Sequence, residues 1–253
     1  MKRLVFVGSH LGYPMERTPL GGGAMVGLQL VKHWRPDGTW SLTVLGSGPE
    51  VPAPGVEYVR LAGREGGLVD LGELDYARFC REFEEQTTDW LLERAGSFPP
   101  SDTVVVVNDI SEGPTLSRLA ARGYKLVSIW HVDVVDYFNK LYLRRFFAPE
   151  NLTRLHERLR AAGADWVLPD VLNLVFDKQR ETVAHSARMI VPSAAMADTI
   201  VRCYGDLVGE AELRRRIQVV PWGVWAENAT EADLNRAEDL RDYNEIGPDT
   251  FVL

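Results

Sequence analysis

The chain has only two cysteines, Cys80 and Cys203, far apart in sequence and in no CxxC pair. That argues against a disulfide scaffold and against a cysteine metal cluster. Both are read as free thiols of a reducing compartment. No two histidines have metal-ligand spacing and no HExxH occurs, so no metal is expected. There is no glycine-lysine-serine/threonine run, which removes a P-loop, and no GxSxG elbow, which disfavours an α/β-hydrolase. Basic excess is missing too. Lys and Arg number 28 against 36 Asp and Glu, a net charge of -8, which argues against a nucleic-acid partner. No apolar run approaches the roughly 20 residues of a membrane span. Leu4–Val7, behind Met1-Lys2-Arg3, is far too short for a secretory signal. A soluble, cytoplasmic protein is expected, with contact to a membrane surface left open.

What the 253 residues do contain is ordinary globular material, 45% hydrophobic and 25% charged. Short apolar runs alternate with longer amphipathic ones. Strands are expected at Arg3–Val7, Ser41–Leu45, Val56–Leu61, Thr103–Val107, Lys125–Trp130, Arg188–Val191 and Gln218–Val220. Helices are expected at Ala24–Trp34, Leu74–Ala95, Pro114–Arg122, Asn151–Ala162, Pro169–His185 and Ala194–Tyr204, with Pro169 in a first turn. Runs such as Val104-Val105-Val106-Val107 are apolar throughout, the pattern of parallel strands buried on both faces. Strand–helix alternation over this length predicts an α/β fold, a doubly wound, mainly parallel, Rossmann-like sheet.

In such sheets ligands bind outside the carboxyl ends of the strands. The residues just after the strands are Gly8-Ser9-His10, Asn108-Asp109, His131-Val132-Asp133, Ser193 and Trp222-Gly223. Gly21-Gly22-Gly23 stands directly before the first helix, whose N–H groups and dipole favour an anion or a sugar hydroxyl. It is not a dinucleotide fingerprint, because the sixth position from Gly21 is Val26. Gly46-Ser47-Gly48 fails as well, with Pro49 next and Val51 at the sixth position. His131 follows a strand directly and can exchange hydrogen bonds near neutral pH. Asp133 beside it serves either the site or the N-cap of the next helix. His33, His156 and His185 lie in helical patterns and read as structural or solvent-facing. Tyr137–Phe147 is aromatic and basic together, read as core packing or as a lip towards an acceptor or an anionic membrane.

Taken together, these residues resemble the N-terminal domain of a GT-B glycosyltransferase, of the retaining family 4 and glycogen/starch synthase type. Gly21-Gly22-Gly23 looks like that family's acceptor-side glycine loop, and His131 like its histidine after the fifth strand. Ile190-Val191-Pro192-Ser193 resembles its valine-proline-serine strand end. Ile217 to Val224 resembles the valine-proline-asparagine-glycine-valine passage into the second domain, with Trp222 in place of the asparagine. The resemblance covers nearly the whole chain.

It implies residues 1–225 as one half of a GT-B architecture, the acceptor side. Residues 226–253 would be an acidic linker and the first strand, Thr250–Leu253, of a donor-binding C-terminal domain that is its missing partner. Between Glu227 and Glu245 stand seven acidic residues against Arg236 and Arg241. The implied activity is sugar transfer from a nucleotide-sugar co-substrate, with no other cofactor, to a sugar or other hydroxyl acceptor, with the fragment alone inactive. His131 would be the catalytic candidate. Gly21, Gly22 and Gly23 would approach the acceptor or the donor phosphates, and His10, Asp109, Asp133 and Ser193 are substrate-binding candidates by their position after the strands. A stand-alone sugar- or nucleotide-binding module, or an epimerase relative of the same architecture, is the alternative. The failed glycine fingerprints disfavour a Rossmann oxidoreductase.

Overall fold

The computed structural model describes residues 2–14, 21–34, 38–64, 67–133, 135, 136, 139, 147–223, 231–247 and 250. The chain divides into two compact units, Met1–Pro221 and Trp222–Leu253. The first unit contains strands β1 (Lys2–Val7), β2 (Trp40–Gly46), β3 (Glu57–Arg60), β4 (Thr103–Val107), β5 (Lys125–Ile129), β6 (Arg188–Val191) and β7 (Ile217–Val219). Its helices are α1 (Gly22–His33), α2 (Glu73–Glu93), α3 (Leu116–Ala121), α4 (Pro149–Ala161), α5 (Asp170–His185), α6 (Ala194–Val208) and α7 (Glu210–Arg216).

The strands form one seven-stranded sheet in the order β3-β2-β1-β4-β5-β6-β7. Every neighbouring pair is parallel. The fold class expected from the sequence is the one found. Winding runs outward in both directions from β1 and β4, so the crevice between their carboxyl ends is the topological switch point.

Successive side chains on a strand face opposite layers. Along β1, Val5 and Val7 join the core built by Phe79, Phe83 and Leu91 of α2 and Leu119 of α3. Phe6 instead meets Trp34, just past α1, edge to face at 5.4 Å. A second core gathers Met189 and Val191 of β6, Ile200 and Tyr204 of α6, Leu213 of α7 and Val183 of α5.

Some element ends differ from expectation. The helix placed at Ala24–Trp34 begins at Gly22, so two of the three glycines lie inside its first turn. Gly21 is its N-cap, with extended backbone at φ -67 and ψ 161, and the Met25 N–H donates to the Gly21 carbonyl at 3.0 Å. Pro169 is the N-cap of α5 rather than a first-turn residue, and Asp170 opens the helix. α3 is shorter than expected because Thr115 has extended backbone at ψ 96 and is the N-cap; its N–H donates to Thr88 Oγ1 at 2.8 Å. α6 runs past Tyr204 to Val208 and stops at Gly209, whose φ of 88 suits glycine. α7 was not expected from the sequence.

The loops after β1 and β2 are pressed together beneath Tyr58 of β3. The Tyr58 hydroxyl reaches the carbonyls of Gly48 (2.7 Å) and Leu11 (3.2 Å). A side chain on Gly48 would overlap the backbone of Gly12 and Tyr13. Gly48→Ala should therefore cost about 3 kcal/mol, the upper end of overpacking, because backbone has to move. Chemical denaturation would check it, and a loss under about 0.5 kcal/mol would mean that the loops are not packed this way.

In the second unit, α8 (Glu231–Tyr243) leaves Leu234, Leu240 and Tyr243 exposed. Helix with little apolar burial suits the acidic composition of this stretch. Phe251–Leu253 lie outside the described residues, as does Tyr137–Phe147 apart from Asn139 and Phe147.

Candidate active site

The carboxyl edge of the sheet holds a cavity of about 240 Å³ at the switch point, lined among others by His10, Gly21, Gly23, Tyr76, Asn108, Asp109, Glu112 and His131. Three loops and two helix starts meet there. β1 delivers His10, β4 delivers Asn108 to Glu112, and β5 delivers His131. α1 presents its N-terminal glycines without a side-chain cap, and α2 contributes Tyr76.

Asn108, buried at 1% exposure, organises one wall. Its Nδ2 donates to the Gly23 carbonyl (3.2 Å) and to Asp109 Oδ1 (3.0 Å). Its Oδ1 is then the acceptor facing His131 Nε2 at 3.0 Å. Burial pulls the His131 pKa down to about 4, against the opposing pull of Asn108. The imidazole is therefore neutral at pH 7, with its proton on Nε2 and the lone pair on Nδ1. The glycines matter sterically here. A Cβ on Gly23 would stand 2.8 Å from His131 Cδ2, and one on Gly27 would stand 2.8 Å from Asn108 Nδ2, whereas Gly21 and Gly22 face open space. None of these four has a positive φ, so what α1 needs is room for His131 and Asn108.

The opposite wall is ionic. His10 Nε2 stands 3.5 Å from Glu112 Oε1, and the Tyr76 hydroxyl donates to the same oxygen. Burial works against the charged imidazole, but the hydrogen bond to Glu112 and the charges of Asp109 and Glu112 outweigh it and raise His10 to about 9. Burial would also raise Glu112. His10 and Tyr76 overcome that and hold it below the usual carboxylate range. Asp109 accepts from Ser9 Oγ at 3.3 Å and is lifted to about 6, chiefly by burial, with His10 opposing and Glu112 reinforcing. At pH 7 the cluster carries one cation and two anions. An anionic pocket that presents carboxylates and an amide suits a ligand offering hydroxyl donors.

The two histidines of this cavity titrate on opposite sides of neutrality, with opposite consequences for stability. His10 is raised above the unfolded value of 6.5, so its contribution is complete below 6.5 and is lost as pH rises through about 9. His131 is depressed, so its contribution is present above 6.5 and is lost as pH falls towards about 4. Side-chain NMR titration should find His10 still charged at pH 8 and His131 still neutral at pH 5.5. The reverse order would contradict this geometry.

The fold thus brings His10, Gly21, Gly23, Asp109 and His131 to one cavity. Asp133 and Ser193 line a neighbouring cavity of about 250 Å³, with Val132 shared between the two. Asp133 is buried, and its Oδ1 accepts from the Asp136 N–H at 3.0 Å, the capping role that its position allowed. Ser193 caps α6, accepting from the Met196 N–H at 3.2 Å. Gly22 lines neither cavity. Sequence reasoning missed Glu112 and Tyr76. Glu112 lies only five residues past β4 and a longer window would have caught it. Tyr76 sits in a helix 36 positions away from Glu112, and nothing local marks it. His156 is buried and stacked on Phe176 at 4.5 Å, and His33 bonds back to the Gln29 carbonyl at 2.9 Å, both structural positions. Cys80 and Cys203 are free thiols. Among the described residues no group of three His, Cys, Asp or Glu could hold a metal ion, and no helix is long and apolar enough to cross a membrane.

No family model matches the sequence, and neither does any curated protein. Solved structures do match the fold. Arabidopsis thaliana UGT89C1 complexed with UDP superposes with a TM-score of 0.50 at 12% identity, over 98% of this chain and 56% of that one. A UGT transferase from Siraitia grosvenorii in complex with UDP gives 0.49 at 13% identity, over 97% and 53%. Sucrose-phosphate synthase from Thermosynechococcus elongatus gives 0.44 at 11%, over 97% and 99%. The chain spans little more than half the length of the plant structures it matches. Its seven-stranded parallel sheet with helices is a Rossmann-like α/β fold, the fold it shares with about half of the Arabidopsis structure.

Proposed function

We propose that this chain is the acceptor-side, N-terminal half of a nucleotide-sugar glycosyltransferase. The observation that carries the reading is the switch-point cavity, where carboxylates, an amide and a neutral imidazole converge beside the uncapped N-terminus of α1. Hydroxyl donors of an acceptor fit Asp109 and Glu112. The net negative charge makes the same surface a poor seat for a pyrophosphate, which belongs on a second, donor-binding half. Sugar transfer needs donor and acceptor held together in one geometry. Residues 1–253 alone are therefore proposed to be inactive, with a donor-binding domain as partner. The nucleotide-sugar is a co-substrate, no other cofactor or metal takes part, the protein is cytoplasmic, and contact with a membrane is peripheral at most.

The finer proposal is hexosyl transfer with retention, of the family 4 and glycogen/starch synthase type, supported by the sequence resemblance around Gly21–Gly23, His131, Ser193 and Ile217–Val224. In it His131 lies against the donor sugar as a neutral hydrogen-bonding group. One observation favours a second reading. A carboxylate with a pKa near 6, Asp109, in the acceptor cavity is suited to be the general base that inversion requires. The anomeric configuration of the product separates the two. UDP-hexoses are the first donors to try, since the structure superposing at 0.50 is a complex with UDP. Retention should come with no acidic limb near pH 6 that Asp109→Asn abolishes. Inversion with such a limb selects the Asp109 base. Absence of transfer from every nucleotide-sugar offered would sink both.

A further inference from the structure

The two acidic residues of the cavity sit on an irregular stretch, 108–115, between β4 and α3. Its near end is fixed by the sheet, through the Asn108 N–H to the Val7 carbonyl at 2.8 Å. Its far end is fixed from behind, by groups that do not line the cavity. Lys178 of α5 donates through Nζ to the Gly113 carbonyl at 2.8 Å and pairs with Glu84 of α2 at 2.5 Å. Thr115 Oγ1 donates to the same Glu84 oxygen at 2.9 Å, and the Thr115 N–H to Thr88 Oγ1 at 2.8 Å. Two residues past Thr115, Ser117 closes on Glu181 with two bonds of 3.0 and 2.6 Å.

We propose that Lys178 is a positioning residue, which from the back layer of the sheet holds Gly113, and through it Glu112 and Asp109, in register with His10. α2 serves both ends of the device. Tyr76 near its start bonds Glu112, and Glu84, about two turns on, bonds Lys178 and Thr115. Lys178 is buried, with 6% of its side chain exposed, and a buried ion pair is seldom a net source of stability. An apolar side chain of similar length would fill the slot but give the Gly113 carbonyl no donor. The pair is therefore explained by what it holds rather than by what it stabilises. The catalytic significance of this latch rests on the transferase reading, but the positioning itself does not.

The test uses the 253-residue chain and needs no substrate. In Lys178→Met the His10 imidazole should titrate about one unit or more closer to 6.5 than in the wild type, because Glu112 is no longer held against it. The signal of His156, stacked on Phe176, serves as the control and should stay in place. Should Lys178→Met fail to fold, Thr115→Val removes one anchoring bond without disturbing the buried charge pair, and should shift His10 in the same direction by less. A His10 titration within about 0.2 units of wild type in a folded variant overturns the proposal, as does a shift that His156 shares. A purely structural lysine would lower Tm and leave His10 alone. If wild-type protein with both halves transfers no sugar, the transferase reading fails, while this titration still decides the latch.

Discussion

His131→Ala, in a protein carrying both halves of the cleft, should lower kcat by about tenfold to a thousandfold, the range for losing one positioned polar group at a reacting centre. Folding should survive. His131 lies just past the end of β5 and contributes little to either core, so a change in Tm of more than a few degrees is not expected. Asn108→Ala tests the same point from behind. It keeps the imidazole but removes the group that faces its Nε2 and selects its tautomer, so kcat should fall in the same direction by a smaller factor. An unchanged kcat in His131→Ala would return the residue to a structural role. A fall in Asn108→Ala alone would mean that Asn108 acts through Gly23 or Asp109.

The second large effect is a contrast between two adjacent glycines. Ala is favoured over Gly in a helix by about 0.5–1 kcal/mol. At Gly22 the added methyl meets nothing, so Gly22→Ala should gain up to about that much and leave the His131 NMR signals where they are. At Gly23 the methyl would stand 2.8 Å from His131 Cδ2 and must push the ring away from Asn108. Gly23→Ala should therefore shift the His131 signals and lower kcat nearly as far as His131→Ala. Thermal melts, imidazole NMR and steady-state kinetics on the pair decide. Identical behaviour of the two variants would mean that α1 does not press on the imidazole.

Much of the fold was legible because parallel strands announce themselves. Val105 to Val107 is buried from both sides, and all seven expected strands are present within a residue or two. Strand ends then gave the edge at which His10, Asp109 and His131 converge. What was not legible depends on packing between distant segments. The triple glycine reads from the sequence as a ligand loop, but nothing in the sequence shows that a side chain on its third member would meet His131, 108 positions on. Tyr76 has no local mark, and its role exists only because α2 starts beside the β4 loop. Ionisation was equally hidden, since Asp109 and Glu112 have similar side chains and move to opposite sides of the usual range through their neighbours. Grouping was coarser still. Asp133 and Ser193 follow strands just as His131 and Asp109 do, yet line a different cavity.

The most direct test of the central claim is a sugar-transfer assay run side by side on residues 1–253 and on a protein that joins this chain to a donor-binding half, with a panel of nucleotide-sugars and hydroxyl acceptors. Turnover is expected from the joined protein and none from residues 1–253. Turnover by residues 1–253 alone would contradict it, and so would silence from both.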